Sequence, residues 1–199
     1  TLLAACSPAD KGKKTPPRQE SGCMYWGTSA SMQHLRQLVE KVAGTDANIL
    51  ITGENGTGKG MLAREIHALS ARRGREMVSV DMGALTESLF ESELFGHVKG
   101  AFTDAHADRT GKFEAATGST LFLDEIGNLS LPMQAKLLTA IEKRQISRLG
   151  STQSTPIDVR LICATNADIR RMVEEERFRQ DLLYRINTIE LHITPLRER

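Results

Sequence analysis

The sequence lacks an excess of charge of either sign. Its 199 residues hold 26 Lys plus Arg against 25 Asp plus Glu, a formal net charge of +1. That balance removes the electrostatic case for direct binding to DNA or to an anionic membrane surface. No apolar run approaches the length of a bilayer span, so no membrane helix is expected. Cysteine is scarce, and Cys6, Cys23 and Cys163 are odd in number and widely spaced. Such usage points to a reducing, cytoplasmic setting rather than a disulfide framework. There is no internal repeat. Leu3-Ala4-Ala5-Cys6 has the form of a lipoprotein processing site. Only a few apolar residues and no basic region precede that cysteine, so a linker or helix end is expected instead.

What is present suits a globular domain: 40% of residues are hydrophobic and 26% charged,. Residues 7–22 are rich in Pro, Gly, Lys and Ser, and 1–24 as a whole read as a linker or the tail of a preceding regulatory domain,. A folded domain is expected over residues 25–199. Five short apolar runs, at 48–52, 77–80, 120–123, 159–164 and 189–193, read as strands,. Helical stripes lie between them. Met32, Leu35, Val39 and Val42 form one, and Leu131, Ala135 and Leu138 another, with Ser130 and Pro132 as a start signal,. Strands alternating with helices predict an α/β fold whose parallel sheet is covered on both faces.

The most informative segment is Gly53-Glu54-Asn55-Gly56-Thr57-Gly58-Lys59-Gly60-Met61. It follows a predicted strand and opens a helix whose Leu62, Ile66 and Leu69 recur at helical spacing. Strand, glycine-rich loop, lysine and helix form the order of a phosphate-binding P-loop. Glycines let backbone N–H groups converge on phosphate oxygens, the helix dipole adds positive potential, and Lys59 can reach the outer phosphates. A plain glycine-rich surface turn would require neither flank. A nucleoside triphosphate, ATP, is the expected ligand.

A second site ends the run Ser119-Thr120-Leu121-Phe122-Leu123-Asp124-Glu125. Successive strand residues point to opposite faces, so the two carboxylates are expected to do different jobs. Beside a P-loop, Asp124 would hold Mg²⁺ through its water shell, and Glu125 would orient or deprotonate the attacking water.

Glu93-Leu94-Phe95-Gly96-His97-Val98-Lys99-Gly100-Ala101-Phe102-Thr103-Asp104-Ala105 is similar to the ELFGxxxGAFTGA signature. With it, the stretch from Gly53 to Arg199 resembles the AAA+ ATPase domain of bacterial sigma-54-dependent transcription activators, the NtrC-like response regulators. The resemblance implies a P-loop NTPase core in a ring, such as a hexamer, that hydrolyses ATP to remodel sigma-54 RNA polymerase. It implies that Gly100, Ala101, Phe102, Thr103, Asp104 and Ala105 form the loop contacting sigma-54. Asn166, in Ala164-Thr165-Asn166, resembles sensor I, and residues 145–156 resemble the hairpin insertion before it. Phe178 to Arg185 is similar to the segment carrying two arginine fingers, which assigns Arg179 and Arg185 to a neighbouring subunit's site. Pro195-Leu196-Arg197-Glu198-Arg199 resembles the entry to the helical lid. The lid and the DNA-binding helix-turn-helix of the family would follow it, so DNA contact is expected only through a domain outside this sequence.

Three positions depart from the family pattern. Gly60 stands where the family usually has Glu and many P-loops have Ser or Thr; glycine supplies no hydroxyl to Mg²⁺. Asp104 replaces the second glycine of the contact loop, adding a charge and restricting the backbone. Asp81 replaces an Asn that couples Glu125 to the nucleotide state, and two carboxylates there would repel. From the residues alone, Arg179 and Arg185 would pair with Asp181 and Glu190 on a surface helix. The Asp104, His106, Asp108 and His97 set has no recognised metal spacing and reads as a solvated loop. His34 and His67 are expected at the surface, and His192 as structural. The rival to hydrolysis is a nucleotide-gated assembly module; a small P-loop kinase is disfavoured by the Asp124-Glu125 tandem, the arginine pair and the loop at 100–105.

Overall fold

The computed structural model describes residues 24–198. Five strands form one parallel sheet: β1 (Ile49–Thr52), β2 (Val78–Asp81), β5 (Thr120–Asp124), β8 (Arg160–Thr165) and β9 (Ile189–His192), in the order β2-β5-β8-β1-β9. The helices are α1 (Ala30–Ala43), α2 (Lys59–Ala68), α3 (Glu87–Phe95), α4 (Lys112–Ala115), α5 (Leu131–Lys143), α6 (Ile169–Glu174) and α7 (Gln180–Ile186). Two antiparallel ribbons, β3 (Gly96–His97) with β4 (Arg109–Thr110) and β6 (Gln145–Ser147) with β7 (Ser154–Pro156), stand outside the sheet.

Strand periodicity divides the core into two. Ile49, Ile51, Phe122, Ile162, Ala164 and Leu191 meet Leu35 and Val39 of α1 and Leu62 and Ile66 of α2. Leu50, Leu121, Leu123, Leu161 and Cys163 face the other way, onto α3 to α7. The three central strands β1, β5 and β8 therefore contribute to both layers, while edge strand β2 packs only towards α3 to α7 and edge strand β9 only towards α1 and α2,. The expected three-layer α/β architecture is the one observed, and all five predicted strands occur within a residue or two of their expected ends.

Several local expectations need correction. Leu69, placed in the helical stripe, caps the end of α2 and is exposed, because the buried face runs through Leu62, Ala63, Ile66 and His67. His67 is thus buried rather than superficial. Its Nδ1 lies 2.9 Å from Thr120 Oγ1 and its Nε2 2.9 Å from the Arg75 carbonyl, and burial lowers its pKa. Ser130 begins α5 but its hydroxyl donates to Glu87 instead of capping the helix. Met24 belongs to the folded part: it is buried, and its N–H donates to Glu65. The rest of the expected linker, with Cys6 and Cys23, lies outside the described residues. Cys163 is buried at the centre of the sheet, and burial pushes its thiol far up. Among the described residues no helix is long and apolar enough to cross a membrane.

Candidate active site

Parallel strands deliver their C-terminal ends to one edge, and the order of this sheet sets the P-loop strand β1 between β8 and β9. Thr52 ends β1 and Gly53 opens the loop, its N–H donating to the Thr165 carbonyl of β8 at 3.3 Å. Gly58, at φ 93°, takes the left-handed turn that starts α2. A side chain there would be strained, so glycine serves the sharp reversal that aims the helix N-terminus into the loop. Lys59, 6% exposed, curls back so that Nζ donates to the carbonyls of Gly53 (3.1 Å) and Glu54 (3.3 Å). Glu54, Asn55 and Gly56 are exposed around the loop, Thr57 is buried with its hydroxyl on the Glu54 carbonyl, and Met61 is exposed on the first turn of α2. A Cβ at position 60 would meet only the Phe122 ring, at 3.9 Å, so the backbone there does not itself require glycine.

The second site departs from simple strand alternation. β5 stops at Asp124, and Glu125 adopts φ 54°, ψ 47°. A non-glycine residue in this left-handed region is uncommon and mildly strained, a condition concentrated at functional positions. The turn carries the Glu125 carboxylate to Lys59 Nζ (3.4 Å) and to the Asn166 N–H (3.3 Å). Lys59, Glu125 and Asn166 are therefore joined across α2, β5 and β8. Asn166 is otherwise exposed just beyond β8.

Asp124 is half-buried, and its Oδ1 accepts from the Glu125 N–H at 3.0 Å. Burial raises its pKa, and the charges of Glu125 and Asp81 raise it further, against the lowering by Lys59. Asp81 pairs directly with Asp124 in the β2–β5 register. Its carboxylate caps the next turn, accepting from the Gly83 N–H at 2.8 Å, and its charge acts on Asp124. Three carboxylates around one lysine leave this edge short of positive charge. That deficit fits a divalent cation held by Asp124, phosphate oxygens and water, the usual mode of Mg²⁺. Among the described residues no three acidic, His or Cys side chains converge as a metal cage.

The arginines lie elsewhere. The Arg179 guanidinium forms a two-pronged pair with Asp181 (3.0 and 2.7 Å), while its N–H donates to Gln134. Arg185 approaches Glu142 at 3.9 Å rather than Glu190, which instead takes Arg170. The Arg185 carbonyl accepts from Asn48, the residue before β1. With Asp46, Glu142, Arg144 and Asp158 it lines an open groove of about 390 Å³ at the entry ends of the strands. One strand length, on the order of 13 Å, separates that edge from the P-loop edge, so Arg185 does not serve its own P-loop.

The 100–105 loop is pinched at its neck by the Gly100 N–H to Ala105 carbonyl bond (2.8 Å). Phe102 is 44% exposed and leans edge-on against the buried His97 ring, 4.9 Å between centroids. Thr103 and Asp104 are exposed, Ala101 is half-buried and Ala105 buried. Only Gly100 of the six has a positive φ, so Asp104 occupies an ordinary backbone conformation and adds charge without strain. His97 is turned inward to Ser92 (2.7 Å), and Asp108 accepts the Lys99 N–H, which uses those side chains locally. Leu149 of the β6–β7 insertion hydrogen-bonds to both Val98 and Gly96, tying the two insertions together.

Residues 25–192 match the family model described as the sigma-54 interaction domain. The chain belongs to that family. Members of the sigma-54 interaction domain family that it resembles include the C4-dicarboxylate transport transcriptional regulatory protein DctD of Pseudomonas aeruginosa, 52% identical over 87% of this chain and 37% of the relative. The transcriptional regulatory protein ZraR of Salmonella typhimurium is 52% identical over 96% of this chain and 43% of the relative. The chain thus spans less than half the length of these relatives. NtrX from Brucella abortus, solved in complex with ADP, superposes with a TM-score of 0.81 at 35% identity, covering 87% of this chain and 38% of NtrX. The P-loop NTPase domain of an E. coli sigma-54 activator, at 20% identity and TM-score 0.56, shares the fold. This chain is accordingly an AAA+ domain of the sigma-54 activator type.

Proposed function

We propose that the chain hydrolyses ATP at the boundary between subunits of a ring and uses the cycle to remodel sigma-54 RNA polymerase. The observation that carries the reading is the placement of Glu125 between Lys59 Nζ and the Asn166 N–H, at the mouth of the P-loop. In this reading the loop N–H groups of residues 53–60 and Lys59 hold the β- and γ-phosphates. Asp124 holds Mg²⁺, which when bound neutralises charge spreading over the phosphates. Water attacks the γ-phosphorus as the bond to the β-bridging oxygen breaks, and Glu125 takes the proton of the attacking water. Asn166 reports the γ-phosphate to β8. Arg179 and Arg185 leave Asp181 and Glu142 to stabilise the transferred phosphoryl of a neighbour, a contribution of ~10³–10⁵ where such fingers act. The 100–105 loop, carrying Phe102, is the contact to sigma-54.

Replacing Glu125 by Gln tests the carrying observation. The expected result is a fall in ATP turnover of about 10²–10⁴ with nucleotide affinity retained, measured by phosphate release and by equilibrium titration. Unchanged turnover would defeat the assignment. Tight binding without turnover in the unaltered chain would favour the nucleotide-gated assembly module, towards which Gly60 and Asp81 lean.

A further inference from the structure

Glu54 is the one acidic side chain within the phosphate loop 53–60. Its carbonyl accepts from Lys59 Nζ (3.3 Å) and from the Thr57 hydroxyl (2.8 Å), so its backbone is part of the cradle itself. An unneutralised carboxylate on that residue opposes a polyanionic ligand. The structure supplies a counter-ion from the far end of the chain. Arg197 Nη1 donates to Glu54 Oε2 at 2.7 Å, and Nη2 to Glu54 Oε1 at 2.5 Å, a bidentate fork,. That pair lowers the Glu54 pKa, chiefly through the hydrogen bonds.

Arg197 is not at the loop by chance of a long side chain. Its segment continues from β9 through Ile193, whose N–H donates to the Thr52 carbonyl at 2.8 Å. A Cβ on Gly53 would fall 2.8 Å from the Ile193 carbonyl oxygen, so the loop and the segment are in close backbone contact. Two separate contacts, one steric and one electrostatic, thus fasten the start of the P-loop to residues 193–197.

We infer that Arg197 is a positioning residue for nucleotide binding: it neutralises and holds the Glu54 carboxylate at the P-loop, so that a nucleoside triphosphate meets a loop without an opposing charge. The inference rests on the nucleotide-binding reading above and adds to it a residue outside every phosphate-binding motif. It gives Arg197 no contact with the ligand.

The test is titration of the full 199-residue chain with a fluorescent, non-hydrolysable ATP analogue at low and high salt. Arg197→Ala weakens binding by about tenfold at low salt. The deficit shrinks as added salt shortens the screening length. Adding Glu54→Gln to Arg197→Ala restores affinity, because the charge that Arg197 masks is gone. Thermal denaturation of Arg197→Ala matches that of the parent, since an exposed pair adds little stability. A double variant as weak as Arg197→Ala would mean that Arg197 binds the phosphates directly, and would overturn the inference. So would an Arg197→Ala affinity equal to the parent's. Absence of binding by the unaltered chain would instead strike the nucleotide-binding reading itself.

Discussion

Asp124 carries an unfavourable charge in this fold. Its folded pKa lies above the ordinary value, chiefly through burial, with the charges of Glu125 and Asp81 adding to it against the Glu125 N–H bond and Lys59. A carboxyl with a raised folded pKa contributes its full stability only below its unfolded pKa, and loses it as pH rises through the folded value. Asp124→Asn removes that loss while keeping an oxygen to accept the Glu125 N–H. The variant therefore melts higher than the parent at neutral pH, and the difference closes as pH falls towards about 4. A pH series of thermal melts checks the sign. The same residue shows what a sequence conveys at this scale. Asp124 and Glu125 could be read as a pair with divided roles, but the left-handed turn at Glu125 could not, because alternation along a strand says nothing about where the strand stops. His67 is not legible as buried for a related reason: Thr120 and the Arg75 carbonyl satisfy its ring from elsewhere in the chain.

Helix α2 joins the loop to the core, and Gly60 sits in its first turn. Glycine in a helix loses backbone entropy that alanine does not, a difference of about 0.5–1 kcal/mol. The vacant position beside Phe122 accepts a methyl at ordinary contact distance. Gly60→Ala should therefore raise Tm by roughly 1–4 °C, measured by calorimetry. A fall would mean that the α2 start is under a constraint the packing does not reveal. Elements of this kind are legible from periodicity in the apolar strands and the α1 stripe; in α5 the stripe marks the helix but not its buried face, since Leu131 is exposed while Met133, Gln134, Leu137 and Leu138 turn inward. The short ribbons β3–β4 and β6–β7 were not readable from periodicity, since two- and three-residue strands are too brief to show a pattern. Residues 145–156 became legible only through family resemblance.

For the whole molecule, the separation of Arg185 from the P-loop edge makes a single subunit an incomplete catalyst in the proposed reading. A head-to-tail ring brings one edge of each copy to the opposite edge of the next. Arg185→Ala and Glu125→Gln chains should each be inactive alone. Mixed in equal amounts, they regain up to about a quarter of the parent rate, because one junction in four joins an intact glutamate to an intact arginine. Failure of the mixture to recover activity, with assembly confirmed by light scattering, would remove the shared site. The order of the sheet has one more consequence, for synthesis on the ribosome. β1 is made early, yet both its neighbours, β8 and β9, come more than a hundred residues later. During that interval β1 has neither hydrogen-bonding partner, and the loop it launches has no wall to rest against. At ≈ 5–20 residues per second the wait lasts about 5–30 s, so the cradle cannot close until β8 and β9 have been made.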